Sequence, residues 1–507
     1  MFQDSFRGKN IFITEIKTAD FSAVFLFLTG LFFLDNAMHL RYCFYEVVFV
    51  FAKIYDKEIK IDYNQVDGFN RYPSDLMTEY VQSMEEGLDI EKYKSLFEAV
   101  SELDNGEYKT RMSDVIYEMV INSKIRKDYK YDEPSELKAI RKLRKAHDFD
   151  CVIPDEETLR KKIHGAWMGR AVGCLLGKPV ECIRSNELIP LLKETGNYPM
   201  HRYILSSDIT DEVCSHYKFY LKNKAYADTV DGMPVDDDTN YVVLAQKIID
   251  EFGRDFESED VASVWMRYQS VQSYFTAERI AYINFMNCIE PPASAMYKNV
   301  CREWIGAQIR GDYFGYINPG KPEDAAEMAF NDARISHVKN GIYGEMFASA
   351  MISCAAVTDN IDDIILGGLA QIPSTSRLYE AVMKIYNGYK NGVTVDECFD
   401  IIHSDYDEHT DHGWCHTISN AMIVVAALLY GEGDFGKSIC IAVGMAFDTD
   451  CNGATVGSVL GMRNSVDGID EYWKKPVNGK IHTSIFGVGT VDIEKAVDKT
   501  MEHISQA

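Results

Sequence analysis

The chain has 507 residues, 46% of them hydrophobic and 26% charged, which allows more than one compact unit and a sizeable packed core. Its net charge of −26 argues against a nucleic-acid surface or an anionic membrane as the main partner, because both reward clustered Lys and Arg. Twelve cysteines without a CxxC pair read as reduced, mostly buried thiols of a cytoplasmic protein rather than as a disulfide framework.

From the N-terminus, Phe21–Leu34 (FSAVFLFLTGLFFL) is apolar but shorter than the ~20 residues a bilayer crossing needs, so it is expected as a buried helix or strand. Residues 21–55 are aromatic and β-branched without a clean period. From Leu88 the pattern turns helical, and Met112, Val115, Ile116, Met119 and Val120 form one apolar stripe. Residues 123–147 have the charged composition of a solvated helix or linker. A boundary is expected near Asp155, between a mainly helical N-terminal accessory region (1–155) of unknown role and an all-α domain (156–507). Within the latter, Tyr241–Phe252 puts Val243, Leu244, Ile248 and Ile249 on one face, and Ile423–Leu429 predicts a helix buried all round.

Three segments carry chemistry. In Gly165–Glu181 (GAWMGRAVGCLLGKPVE), Gly165, Gly169, Gly173 and Gly177 recur every fourth residue, one stripe on a helix. Each glycine costs a helix interior about 1 kcal/mol relative to alanine, so close approach of another backbone or of a ligand must offset it. Pro179 ends that helix. Glu181 lies past its C-terminus, where a carboxylate gains nothing from the helix dipole, and this favours a catalytic or binding role over capping. In Gly444–Gly461, Gly453, Gly457 and Gly461 repeat the stripe behind Asp448-Thr449-Asp450, which reads either as a doubled N-cap or as a carboxylate pair for one cation. Val235–Thr239 (VDDDT) opens a helix with three aspartates, Asp236, Asp237 and Asp238, that repel one another unless a cation or several donors share them; a helix cap uses one comfortably, and three suggest a metal. Oxygen ligands without histidine or cysteine in the motif favour Mg²⁺, Mn²⁺ or Ca²⁺ over Zn²⁺. The run His403–His416 (HSDYDEHTDHGWCH) invites a zinc reading, but a structural zinc site usually draws on cysteine pairs and only Cys415 is present.

The block ending in LGKPVE, the DDDT helix start and DTDCNGATVGSVLG, in this order, resemble the hallmark blocks of the ADP-ribosylglycohydrolase family, which includes the dinitrogenase-reductase-activating glycohydrolase. The resemblance spans Gly165–Gly461 and leaves the first 150 or so residues open. It implies an all-α orthogonal helical bundle with two Mg²⁺ ions in a cleft, Mn²⁺ being an alternative. It implies metal positions at Asp236, Asp237, Asp238, Asp448, Asp450 and Cys451, and catalytic roles for Glu181, Asp238 and Asp450, with Glu181 facing the scissile bond. The chain departs from the family at Asp236 and at Cys451, where Thr or Ser is usual; a thiol is a poor Mg²⁺ ligand. Gly311–Gly320 (GDYFGYINPG) resembles the family's phosphate-binding loop, so Gly315, Tyr316 and Asn318 are expected at a diphosphate, with His337 near it and Trp414 and His416 as pocket walls. The implied activity is hydrolysis of the C1″ bond of an ADP-ribosyl group on a protein or small conjugate, with neither nucleic acid nor membrane as partner. The alternatives are a non-catalytic ADP-ribose-binding or crystallin-like relative and a hydrolase of another nucleoside or nucleotide.

Overall fold

In the computed structural model, which describes residues 71–506, the chain is built from helices and one short hairpin. The hairpin pairs β1 (Lys480–His482) antiparallel with β2 (Thr490–Asp492), placing Ile481 opposite Val491. The readings of Phe21–Leu34 and of residues 21–55 lie outside the described residues. The helices that frame the site are, in chain order, α1 (Leu76–Glu85), α2 (Glu156–Gly177), α3 (Asp237–Phe252), α4 (Asp312–Tyr316), α5 (Asn340–Ala355), α6 (Thr417–Tyr430), α7 (Thr449–Asn464) and α8 (Ile493–Ser505). Every residue of α5 is buried, as are Thr417–Leu429 of α6, so the apolar run Ile423–Leu429 sits inside the molecule. Val243, Leu244, Ile248 and Ile249 of α3 are buried as predicted, and Val242 and Ala245 join them.

The two glycine stripes explain each other. Helices α2 and α7 run antiparallel with their glycines face to face. A Cβ on Gly173 would lie 1.9 Å from the Gly453 carbonyl oxygen, one on Gly169 2.1 Å from that of Gly457, and one on Gly165 2.1 Å from that of Gly461. Of the two offsets for the glycine cost, close approach of another backbone is the one realised. The same contact puts Gly177 against Thr449, so the end of α2 and the start of α7 coincide in space.

Asp155 caps α2, accepting from the Thr158 N–H at 2.8 Å. Residues 71–154 pack on the later chain, within the same compact unit. On α1 and just after it, Glu79 and Glu86 ion-pair with the buried Arg302 at 3.0 and 2.6 Å, and Lys339 pairs with Glu86 at 2.8 Å. The charged stretch 123–147 is only briefly helical, at Leu137–Leu143, and its charges are anchored: Glu133 is buried against Arg377, and Arg144 pairs with Glu323. Among the described residues the cysteines are unpaired, and no helix is long and apolar enough to cross a membrane.

Candidate active site

Three helix ends meet where the glycine contact finishes: the C-terminus of α2 with the turn after it, the N-terminus of α3, and the N-terminus of α7. Asp236 caps α3, its Oδ1 accepting from the Asp238 N–H at 2.9 Å. Asp238 is fully buried. Arg170 of α2, buried as well, donates from Nη2 to Asp238 Oδ1 at 3.0 Å and from Nε to the Asp238 carbonyl at 2.8 Å. Its Nη1 reaches Asp312 Oδ2 on α4 at 2.7 Å. One oxygen of Asp238 is thereby fixed, while Oδ2 is left buried without a partner.

Asp448 precedes α7 on a turn in which Ala446 and Phe447 both take left-handed φ, 61° and 58°, a conformation costly for residues with a Cβ. The fold holds it there. Asn420 Oδ1 accepts from the Asp448 N–H at 3.3 Å and from Asn452 Nδ2 at 2.8 Å, and Thr449 Oγ1 donates to the Gly177 carbonyl at 3.0 Å. Asp450 is buried, with Oδ1 unpaired.

Lys178 occupies the middle of this arrangement. Its Nζ lies 2.5 Å from Asp236 Oδ2, 2.7 Å from Glu181 Oε2 and 3.5 Å from Asp450 Oδ2. Burial works against the ammonium, but the three carboxylates outweigh it and hold its pKa above the ordinary lysine value. Burial first, and then the neighbouring carboxylates, push Asp237, Asp238 and Asp450 above the usual aspartate range, and Asp448 up to about 7. Buried Cys451 has its thiol pushed up for the same reasons.

Two overlapping groups of ligand atoms, each within 4.8 Å, suit a cation: Cys174 with Asp236, Asp238 and Asp450, and Asp448 with Asp450 and Cys451. The orphaned oxygens Asp238 Oδ2 and Asp450 Oδ1 fit a hard divalent ion, since a buried carboxylate oxygen left bare is expensive. The sequence-derived residues Glu181, Asp236, Asp237, Asp238, Asp448, Asp450 and Cys451 are thus brought together.

Others are placed elsewhere. Gly311–Gly320 is no open loop: Gly315 donates its N–H within α4 to the Gly311 carbonyl at 3.4 Å, and the buried Tyr316 bonds Ser458 Oγ at 2.7 Å. Asn318 is buried, accepting from Arg254 and donating to the Phe314 carbonyl. The Gly315 N–H and the Tyr316 and Asn318 side chains are spent on the core, and the segment supports the site from behind through Asp312. His337 is fully buried, bonded to Ser336 and 4.0 Å from Glu278, and burial keeps it neutral. Trp414 is half-buried under the Arg184 guanidinium, 5.0 Å away, and its carbonyl accepts from Asn420, which ties it to the Asp448 turn. His416 is buried and caps α6, accepting from the Ile418 N–H at 3.1 Å, so it backs the wall instead of lining it.

Glu85, His412 and His416 also converge. His412 Nδ1 accepts from Trp304 Nε1 at 3.2 Å and His416 Nδ1 from Ile418 N–H, so the proton of each neutral ring sits on Nε2, facing Glu85. A metal would need those Nε2 lone pairs; the two histidines face the Glu85 carboxylate instead.

Sequence reasoning missed Lys178, Arg170 and Asn420. The available signal was Arg170 on an otherwise small and apolar stripe, because a charge buried there requires a partner.

The sequence pattern of the ADP-ribosylglycohydrolase family matches residues 155–506, and the chain belongs to that family. A solved structure described as an ADP-ribosylglycohydrolase-related protein complex is similar to it at 14% identity and a TM-score of 0.44, covering 69% of this chain and 99% of its own. No curated protein matches the chain.

Proposed function

We propose that the chain is a divalent-cation-dependent hydrolase that cleaves the C1″ glycosidic bond of an ADP-ribosyl group, carried by a protein or a small molecule, and releases ADP-ribose. Family membership supports a glycohydrolase kind of activity. The observation that supports the finer reading is the convergence of Glu181 with five aspartates on one cleft whose bare carboxylate oxygens suit a cation.

Departure of the aglycone leaves an oxocarbenium-like centre at C1″, so the reaction needs an oriented ribose, a placed water and a group to manage the proton. Asp237, Asp238, Asp448 and Asp450 would hold Mg²⁺ or Mn²⁺, which when bound supplies a grip on the ribose hydroxyls and a polarised water. Glu181, with 35% of its side chain exposed, is the carboxylate at the solvent side of the cleft; it takes the proton from the attacking water as base and passes it to the departing aglycone. The Lys178 ammonium engages Oε2, leaving Oε1 for the water. Positive charge developing at C1″ is favoured by the surrounding carboxylates. Arg170 keeps Asp238 from turning away.

The test is release of ADP-ribose from a mono-ADP-ribosylated peptide and from a small ADP-ribose conjugate, each with Mg²⁺ and with excess chelator. Release that stops in chelator is expected. Turnover of plain nucleosides alone would move the chain to another N-glycoside hydrolase, and binding of ADP-ribose without turnover would make it a non-catalytic relative.

A further inference from the structure

Of the two overlapping groups of ligand atoms, one already contains a cation. Lys178 has three N–H donors and three carboxylate neighbours, Asp236, Glu181 and Asp450, at 2.5, 2.7 and 3.5 Å. Its backbone has little freedom to withdraw. Gly177 is pressed against Thr449, Pro179 follows, and Lys178–Val180 is a single 3-10 turn. The side chain is only 24% exposed and points into the cleft. The other group, Asp448 with Asp450 and Cys451, meets the ammonium only at the shared Asp450, through Oδ2 at 3.5 Å, and Asp450 Oδ1 is bare. Asp236, the helix cap whose Oδ1 is committed to the Asp238 N–H, spends its second oxygen on Lys178. A divalent ion on Asp236 and Asp450 would meet this ammonium within the same carboxylate set.

We propose that Lys178 stands in for one cation of the site: its ammonium permanently neutralises the Asp236 side, and the cleft takes a single divalent ion, at Asp448, Asp450 and Cys451. This inference rests on the reading of the cleft as a divalent-cation site. The Lys178–Asp236 pair then acts as a fixed charge that trims the repulsion among the aspartates, and the exchangeable ion, anchored on α7, faces the bare Oδ2 of Asp238 across the cleft.

Metal-free protein titrated calorimetrically with Mn²⁺ and with Mg²⁺ should bind one ion per chain, and its Mn²⁺ form should give the paramagnetic resonance signal of an isolated ion. Lys178→Met keeps the length of the stem and removes the charge; it should bind two ions per chain and show the exchange-coupled signal of a close pair. Lys178→Arg, which keeps the charge, should stay at one. Two ions on the unmodified chain would overturn the proposal whatever the variants do, so it is testable even if Lys178→Met fails to fold. One ion on both the unmodified chain and a folded Lys178→Met would overturn the role given to the ammonium. No ion on the unmodified chain would instead overturn the cation site itself, and with it the metal dependence proposed above.

Discussion

Asp450 shows how one residue is specified at several levels. It begins α7, its Oδ1 is bare, and its Oδ2 faces Lys178, so Asp450→Asn removes a metal oxygen while easing charge repulsion. Turnover should fall about 100-fold or more, since even outer-shell partners of a metal cost about 10- to 100-fold, while the melting temperature of the metal-free protein holds or rises. Normal turnover in this variant would return Asp448 and Asp450 to simple helix capping. Cys451 lies within 4.8 Å of both aspartates, so Cys451→Thr replaces a soft ligand with a hard one. Titration should show tighter Mg²⁺ and a smaller preference for Mn²⁺; equal affinities would remove Cys451 from the metal shell. The aspartates were legible in the sequence because like charges in series need a reason. Lys178 was not, because a lone lysine in a sequence reads as solvated, and only the fold reveals that three carboxylates surround it.

At the level of elements, the glycine contact between α2 and α7 carries the site. A methyl at Gly173 would have to fit 1.9 Å from a backbone oxygen that cannot rotate away. Gly173→Ala should therefore destabilise by about 3 kcal/mol, the upper end of the overpacking range, and separate Lys178 from Asp450. Denaturant unfolding measures the first effect and loss of metal affinity the second. The stripes were readable as a pair of helix faces, but nothing in their spacing says that they face each other. Gly311–Gly320 misled for the opposite reason: its glycines suggested an open loop, yet they let α4 pack closely on α5, with Ser349 O and Ile352 pressing on Gly315. Upstream of the family match, α1 is fixed by Arg302, which is buried between Glu79 and Glu86. Arg302→Met leaves both acids uncompensated and should cost about 3–5 kcal/mol, measured by thermal or denaturant unfolding. A cost below 1 kcal/mol would show residues 71–144 to be a loosely held attachment.

For the molecule as a whole, the cluster links stability to pH. The Asp448 carboxyl binds its proton more tightly in the folded chain, at about 7 against an ordinary 3.8, so the unfolded state holds fewer protons across that interval. Metal-free protein should lose stability as pH rises from about 4 to about 7, and saturating Mg²⁺ should flatten the slope, because the ion takes the place of the proton. Melting curves at several pH values, with and without Mg²⁺, would show it; a slope that ignores the ion would detach the titration from the cleft. The overall helical architecture was legible from periodicity, whereas the packing of 71–144 onto the later chain depends on pairs such as Glu133–Arg377 that no local pattern announces. The α2–α7 contact also has a consequence for synthesis. Lys178 and Glu181 leave the ribosome some 270 residues before Asp448 and Asp450, and at roughly 5–20 residues per second that is a delay on the order of tens of seconds. During it, α2 carries a bare glycine face and an Arg170 whose partners on α3 and α4 arrive only later. The carboxylate cluster is therefore complete only once α7 has been made, and chains that stop before α7 lack Asp448 and Asp450 and leave the glycine face of α2 uncovered.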